Sequence, residues 1–260
     1  MIVCAIDCNY REYTKLFLLS LIKNSPSSVR RLRYFVFDYA RNKKEYRKNC
    51  YYAMLQLLRI NRHIDLTMMP YADISEIYEK FKKLFRTLGI RYFLKTNMMD
   101  YLKAYIFKYL GEPYLFLDND IIVCGGIEEL YNRCKEKGKI SMGKLKHFRL
   151  LNFFEFYNLY TRLKLNSRFR YFGQLCSGVI FIPKDYTNTW FNIFSRGISR
   201  FGIGGHPGLG SWNVLFWEEK GYLLPERYNC IMNRTRKACK NAVLLHFPER
   251  FKQRMLNYKF

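Results

Sequence analysis

The chain has 260 residues, of which 49% are hydrophobic and 18% aromatic, so it can bury a sizeable core and is not a disordered chain. Its 45 Lys and Arg against 21 Asp and Glu give a net charge of +24, which favours polyanions, anionic membrane surfaces and phosphorylated ligands. A basic, solvated surface without a dedicated partner is the alternative. No apolar run approaches the roughly 20 residues of a membrane span, and MIVCAI at the N-terminus does not resemble a signal peptide. We therefore expect a cytoplasmic protein, with peripheral membrane contact left open.

Hydrophobic periodicity and turn residues predict strands that alternate with helices over the first half of the chain. In chain order these are a strand at 1–6, a helix at 10–23, a strand at 33–38, a helix at 43–61, a short apolar stretch at 64–68, helices at 73–88 and 98–110, and a strand at 113–123. The second half is less regular, with strands predicted at 178–183 and 242–247.

This alternation predicts an α/β fold with a mostly parallel central sheet and helices on both faces. Ligands bind such sheets beyond the carboxyl ends of the strands, where Asp7, Asp38 and Asp118 are expected to lie. The chain has no internal repeat and no linker rich in Pro, Gly or Ser, so residues 1–260 are predicted to form a single domain.

The eight cysteines show no C-x-x-C pair and no zinc-finger spacing. Several of them lie in apolar runs, where a reduced cysteine behaves as a small hydrophobic residue. We therefore expect buried free thiols in a reducing compartment.

Two carboxylates follow the apolar run YLFL, in the segment YLFLDNDIIV. Asp118 and Asp120 would supply the oxygen ligands that Mg²⁺ and Mn²⁺ prefer, in sites shared with water and diphosphate oxygens. Such a cation would offset the charge that builds on a nucleoside-diphosphate leaving group. The alternative is that D-x-D marks only a turn between two apolar runs.

This segment resembles the apolar-D-x-D-apolar segment of glycosyltransferases with the GT-A (Rossmann-like) fold, and of the retaining glycosyltransferase family 8 in particular. The opening VCAIDCNYREYTKLFLLSLIKNS is similar to the start of that family. The resemblance implies that Tyr10 stacks on uracil while Asp7 and Asn9 bind the polar edge of the base. The alternative is that Asn9 only caps the first helix. The resemblance also implies a nucleotide-binding half, 1–125, and an acceptor-side half, 126–260, that ends in a metal- and phosphate-binding segment.

Further positions resemble those that lie near the donor in this family. It places Lys103 near the donor phosphates or sugar, although a lysine on a basic helix is commonly solvated. LCSGVIFIP resembles a family strand whose N-[AS]-G-V residues touch the sugar; Cys176 replaces the asparagine, whereas Ser177 matches. Asn119, within the D-x-D, is expected among the nucleotide-sugar-binding residues, and LPERYN resembles a segment that is mainly architectural.

Near the C-terminus, AVLLHFPERFKQ resembles the family pattern apolar-H-[FY]-x-G-x-x-K. The resemblance implies that His246 completes the metal site with Asp118 and Asp120, and that Lys252 binds the diphosphate. Glu249 stands where the family usually has glycine, and Gln253 stands where it usually has proline.

One segment departs from the family. Where it carries an acidic and amide cluster, D-Q-D or D-Q-G, close to the reacting carbon, this chain reads GLGSWN at 208–213. Asn213 fits the pattern, but the acidic and amide groups are absent. His206 or Ser211 are the candidate substitutes, unless the alignment shifts here. The catalytic residue therefore stays unassigned, with Lys103, Ser177 and His206 as candidates.

We expect a metal-dependent retaining glycosyltransferase that uses Mn²⁺ or Mg²⁺ to move a hexose from a UDP-sugar to a hydroxyl of a glycan, lipid-linked glycan or protein. A sugar-nucleotide-binding pseudoenzyme is one alternative. A nucleic-acid-binding protein is another, although nucleic acid is not the expected partner. Basic and aromatic residues at 148–172 and 251–260 either pack into the core or form a surface that meets an anionic acceptor or membrane.

Overall fold

The computed structural model describes residues 1–7, 11–39, 42–89, 95–144, 175–201, 207–232, 239–248 and 252–258. Asn9, Tyr10, His206 and the basic segment 148–172 lie outside these residues. No helix among the described residues is both long enough and apolar enough to cross a membrane. The membrane contact inferred from 148–172 therefore stays a prediction.

Strands and helices alternate along most of the described chain. The strands are β1 (Ile2–Asp7), β2 (Leu32–Phe37), β3 (Asp65–Met68), β4 (Tyr114–Leu117), β5 (Ile121–Val123), β6 (Ser141–Lys144), β7 (Leu175–Ile182), β8 (Tyr222–Leu224), β9 (Cys230–Ile231) and β10 (Leu244–His246). The helices are α1 (Arg11–Asn24), α2 (Pro26–Val29), α3 (Lys43–Ile60), α4 (Tyr71–Thr87), α5 (Lys95–Tyr105), α6 (Phe107–Leu110), α7 (Glu128–Lys137), α8 (Thr187–Phe201), α9 (Pro207–Glu218) and α10 (Lys252–Leu256), with a short 3₁₀ helix at Glu226–Tyr228.

Seven strands form the central sheet, in the order β3-β2-β1-β4-β7-β6-β8. β3, β2, β1 and β4 run parallel to one another, β7 runs antiparallel to both of its neighbours, and β8 runs parallel to β6. A second sheet has the order β5-β10-β9. The predicted α/β class with a mostly parallel sheet is therefore confirmed.

The apolar segment predicted as a single strand at 113–123 is two strands in two different sheets, which corrects that prediction. β4 continues the central sheet as far as Asp118, whose backbone N–H still donates to the carbonyl of Gly178 at 2.8 Å. The chain then turns, because the Asn119 amide donates to the carbonyl of Ala5 at 2.7 Å and its oxygen accepts from the Tyr34 hydroxyl. After this turn, β5 pairs with β10. The D-x-D is therefore the link between the two sheets.

Two helices show why periodicity misses some elements. α9 is buried on almost every side from Pro207 to Phe216, so it has no polar face to produce a helical period. α7 has the opposite composition, because Leu130 and Cys134 are its buried residues and most of the others are polar or charged. Neither pattern matches the amphipathic template that predicts a helix.

The cysteines are not all free, which corrects the expectation from sequence. Cys230 and Cys239 form a disulfide with their Cα atoms 6.0 Å apart. The free cysteines among the described residues are Cys4, Cys50, Cys124, Cys134 and Cys176. Spacing alone did not indicate the pair, since nine positions separate the two sulfurs along the chain.

Glu128, the first residue of α7, holds that helix to the turn around α2. Its carboxylate accepts hydrogen bonds from the hydroxyls of Ser25 at 3.0 Å, Ser28 at 2.5 Å and Ser27. Burial alone would raise the pKa of Glu128, but these hydroxyl donors outweigh it and lower the pKa from 4.5 to about 2. The ionised carboxylate therefore stabilises the fold.

We expect Glu128→Gln to lower the free energy of unfolding at pH 7 by on the order of 1 kcal/mol, since the group is partly solvent-screened. A pKa depressed on folding gives stability that is present above pH 4.5 and is lost as the pH falls towards about 2. Denaturant unfolding between pH 7 and pH 2 should therefore show the native and variant curves converge. Glu79→Gln, in an exposed pair with Lys82, is the control and should show no such convergence. A gap between native and Glu128→Gln that stays constant down to pH 2 would contradict the assignment.

Candidate active site

Three side chains that are distant in sequence converge where the two sheets meet. One ligand atom from each of Asp118, Asp120 and His246 lies within 4.8 Å of the others. The carboxylates come from the turn between β4 and β5, and β10 aligns His246 with Ile121, the neighbour of Asp120. The backbone N–H of Phe247 donates to the carbonyl of Asp120 at 2.9 Å, which holds the imidazole beside the turn.

The imidazole of His246 is 2% exposed and is held on both sides. Its Nδ1 lies 3.1 Å from Oδ1 of Asn229 and 3.4 Å from Sγ of Cys176. An amide oxygen can only accept a hydrogen bond, so Nδ1 is the donor in its contact with Asn229. Nε2 faces Oδ1 of Asp120 at 3.2 Å, and this buried oxygen accepts no hydrogen bond from the described residues.

A carboxylate oxygen and a ring nitrogen that face each other in a buried site can hold a cation between them, either a proton on Nε2 or a metal ion. The donor set of two carboxylates and one imidazole suits a divalent metal. The pKa shifts of Asp120 and His246 agree with a positive charge between them. Burial would raise the pKa of Asp120, but His246 and Lys252 lower it to about 2. Burial would lower the pKa of His246, but Cys176 and Asp120 raise it, so the imidazole binds a proton readily. A metal ion bound at Nε2 would replace that proton.

Lys252, at the start of α10, adds a second positive group beside the carboxylates. Its Nζ lies 3.2 Å from Oδ2 of Asp120, and its side chain is 23% exposed. The ammonium is therefore anchored by a buried carboxylate and still borders solvent. A phosphate bound there would meet a compact positive charge.

Lys103 on α5 is buried rather than solvated, which excludes the surface interpretation of this lysine. Its Nζ lies 3.0 Å from Oδ1 of Asp118, 3.5 Å from Oδ1 of Asp100 and 3.0 Å from the carbonyl oxygen of Ser177. Burial would lower the pKa of Lys103, but Asp118 and Asp100 raise it above its ordinary value. The ammonium therefore stays charged and ties α5 to β7 and to the D-x-D.

Gly178 allows β7 to approach the imidazole closely. A Cβ built at this position would lie 2.1 Å from Cε1 and 2.7 Å from Nε2 of His246. Both distances are shorter than any Cβ contact, so the ring can occupy its place only because residue 178 has no side chain. Its neighbour Ser177 is 6% exposed, and its hydroxyl donates to Oδ1 of Asp100 at 3.1 Å.

No protein-family model matches the chain, and no curated protein matches it. Solved structures do. Mouse xyloside xylosyltransferase 1, in its apo form, matches 94% of this chain and 96% of its own with a TM-score of 0.59 and 10% identity. An active-site mutant of LgtC matches 98% of this chain and 94% of its own with a TM-score of 0.57 and 14% identity. The bifunctional glycosyltransferase WbbM matches 95% of this chain and 45% of its own with a TM-score of 0.58 and 14% identity.

The chain has the GT-A glycosyltransferase fold. LgtC is a member of glycosyltransferase family 8, so the predicted resemblance is confirmed in the fold. At these low identities the similarity concerns the fold alone. Within this GT-A fold, β1 and β4 run parallel, so Asp7 ends β1 at the same edge of the sheet at which Asp118 follows β4. Asp38, directly after β2, accepts from the Asn49 amide at 2.6 Å.

Two predicted positions have structural roles in this GT-A chain. In the structure both polar atoms of the Asn119 side chain are engaged with Ala5 and Tyr34, and these bonds stabilise the turn. Its part in binding the nucleotide sugar stays a prediction. Asn213 is fully buried and bonds to both the N–H and the C=O of Leu175, at 2.8 and 3.1 Å. It holds α9 against the start of β7.

Two residues of the site were missed in the sequence. Asp100 precedes Lys103 by three positions, and i,i+3 pairing on the predicted helix was a usable signal. Asn229 ends the LPERYN segment and orients His246 through Nδ1. Its contact with the imidazole joins positions that only tertiary structure brings together, and no local pattern indicates it.

Proposed function

We propose that the protein is a metal-dependent glycosyltransferase that moves a hexose from a UDP-sugar to an acceptor hydroxyl, with retention of the anomeric configuration. The observation that carries the proposal is the cluster of Asp118, Asp120 and His246, which lies at the carboxyl end of β4 in a GT-A fold. Two lysines flank this cluster, each within 3.2 Å of one of its carboxylates. Paired carboxylates beside lysines are suited to a diphosphate that shares a cation with the protein.

Each group of the site has a defined part in this reaction. Asp118, Asp120 and His246 would hold Mn²⁺ or Mg²⁺, which when bound offsets the charge on the departing diphosphate. Lys252 contacts the diphosphate from the solvent side, while Lys103 holds Asp118 in place through their ion pair. Asp7, Asn9 and Tyr10 bind the uracil, as the resemblance implies. The acceptor hydroxyl attacks the anomeric carbon from the face that UDP leaves, which gives retention.

A donor screen tests the proposal. UDP-glucose, UDP-galactose and their N-acetyl forms are incubated with the protein and Mn²⁺, and released UDP is measured. We expect one donor to be hydrolysed well above the others. Binding of UDP without release from any donor or transfer to any glycan would instead support the sugar-nucleotide-binding pseudoenzyme, which the missing acidic side chains at 208–210 favour. Binding of neither UDP nor any donor would refute both.

Tyr10 is expected to contribute to uracil binding by stacking. Tyr10→Ala should weaken UDP binding by about 1–3 kcal/mol, as measured for base–aromatic stacking elsewhere. Calorimetry with UDP and Mn²⁺ measures the loss, and Tyr10→Phe is the matched control because it keeps the ring. Equal UDP affinity in Tyr10→Ala and the native protein would mean that Tyr10 only packs against the protein.

A further inference from the structure

A second carboxylate, that of Asp100, lies beside the metal-binding cluster. Its side chain is 15% exposed, its Oδ1 lies 3.5 Å from Nζ of Lys103, and the same oxygen accepts from the Ser177 hydroxyl at 3.1 Å. The carbonyl of Asp100 accepts from the indole N–H of Trp212 at 3.0 Å, which fixes this part of α5 against α9. Lys103 thus bridges the carboxylates of Asp100 and Asp118, and these three charged groups together carry a net charge of −1.

The other oxygen of Asp100 occupies space that a side chain on α9 would need. A Cβ built on Gly208 would lie 2.6 Å from Oδ2 and 3.0 Å from Cβ of Asp100. The backbone N–H of Gly208 donates to Oδ1 of Asn97 at 3.1 Å, so α5 and α9 are in direct contact here. A side chain at 208 would therefore force the carboxylate of Asp100 to move. This chain has the acid on α5 and glycine at 208.

The position of Asp100 fits a hydroxylated ligand. A carboxylate can accept several hydrogen bonds, and beside it the Ser177 hydroxyl can donate or accept while the Lys103 ammonium donates. Lys103 also contacts Asp118, so its ammonium lies between the carboxylate of Asp100 and the predicted diphosphate site. The diphosphate of a UDP-sugar joins the ribose to the sugar, and both carry hydroxyls. The uracil and its ribose are expected at the end of β1, whereas Asp100 contacts Ser177 on β7, which lies on the opposite side of β4 in the sheet, so the sugar is the part expected beside Asp100.

We propose that Asp100 binds hydroxyl groups of the donor sugar and so supplies from α5 the acidic group that residues 208–210 of α9 lack. This inference rests on the proposed function. It assigns Asp100 to the sugar and not to the nucleotide. It also predicts that a carboxylate at position 208 of α9 can replace the one at position 100 of α5.

The first test separates sugar binding from nucleotide binding. Dissociation constants for UDP, UDP-glucose and UDP-galactose are measured with Mn²⁺ in the native protein, in Asp100→Asn and in the control Asp65→Asn, which changes an exposed pair on the edge strand β3. We expect Asp100→Asn to bind UDP within about twofold of native but to weaken at least one UDP-hexose by about tenfold or more, as for hydrogen bonds to a charged group. Asp65→Asn should match native throughout.

Each other outcome has a definite meaning. Equal weakening of UDP and the UDP-hexoses would show that Asp100 acts only through Lys103 or the fold, and would overturn the inference. Unchanged binding of both UDP-hexoses, or a native protein that binds them no differently from UDP, would overturn it too. A native protein that does not bind UDP refutes the proposed function itself, which is a distinguishable result.

The second test moves the carboxylate. Gly208 does not have a positive φ, and truncation of Asp100 removes the two closest contacts of a new Cβ, so only Oδ1 of Asn97, at 3.2 Å, must shift by a few tenths of an ångström. We expect Asp100→Gly to lose discrimination between UDP and the UDP-hexose, and Asp100→Gly with Gly208→Asp to regain most of it. Asp100→Gly with Gly208→Asn is the matched uncharged control and should not recover. Gly208→Asp alone should disrupt the contact between α5 and α9 and lower the melting temperature. Failure of the charged swap to exceed its asparagine control would count against Asp100 as the sugar-binding acid.

Discussion

Asp120→Asn is expected to reduce UDP release from the donor by orders of magnitude. The substitution keeps the shape of the side chain but removes the charge that faces Nε2 of His246 and Nζ of Lys252. A neutral amide is a much weaker ligand for Mn²⁺ or Mg²⁺ than a carboxylate. It also leaves the buried imidazole of His246 and the partly exposed ammonium of Lys252 without their counter-charge, so part of the loss can come from local destabilisation.

Direct metal binding separates these two effects. Mn²⁺ binding is followed by electron paramagnetic resonance, and thermal unfolding is measured on the same samples. Asp118→Asn serves as a second variant because its carboxylate is 28% exposed and less dependent on burial. We expect both variants to lose Mn²⁺ binding, and EDTA to abolish turnover in the native protein until Mn²⁺ is restored. Full turnover in EDTA would exclude a metal-dependent reaction.

Gly178→Ala should also impair metal binding and turnover, nearly as much as Asp120→Asn, although the new group is a single methyl. Its Cβ would lie 2.1 Å from Cε1 of His246, and the ring has little freedom to retreat because Asn229 and Cys176 contact its other side. The imidazole must therefore shift away from Asp120. Because contacts at both ring nitrogens limit this shift, we expect Mn²⁺ affinity to fall by about tenfold to a hundredfold, and overpacking to cost about 1–3 kcal/mol of stability.

The control for this variant is Gly125→Ala, whose Cβ would meet Val243 at an ordinary 3.8 Å. It should leave both metal binding and turnover unchanged. A second check combines Gly178→Ala with His246→Ala, where the methyl has no ring to displace. The double variant should then bind Mn²⁺ no more weakly than His246→Ala alone. Unchanged Mn²⁺ affinity in the single variant Gly178→Ala would contradict the close packing of β7 on the imidazole.

Much of the central sheet was predictable because its strands are apolar and its helices amphipathic. Alternating patterns predicted strands near β1 and β2 and an apolar stretch near β3, in this order along the chain. Asp118 was expected at the end of β4. The convergence of His246 with the D-x-D was an expectation from resemblance, not from periodicity. The break between β4 and β5 was not predicted, because Asn119 makes its decisive contacts with residues that are remote in sequence.

The rest of the site depends on contacts that no local pattern encodes. Asn229, directly before β9, orients His246, and Cys176 contacts the same ring from β7. Gly208 looked in sequence like the loss of a functional group. In the structure it accommodates Asp100, so the difference became interpretable only when the helices were seen side by side.

The pairing of β5 with β10 has a consequence for how the protein acquires its metal site. Asp118 and Asp120 emerge from the ribosome long before His246, and β10 is the strand that joins them. A strand can pair with its neighbours only after it has been synthesised, and contacts between distant segments form slowly. The cation site is therefore complete only after β10 has inserted between β5 and β9 and has brought the imidazole of His246 to the two carboxylates.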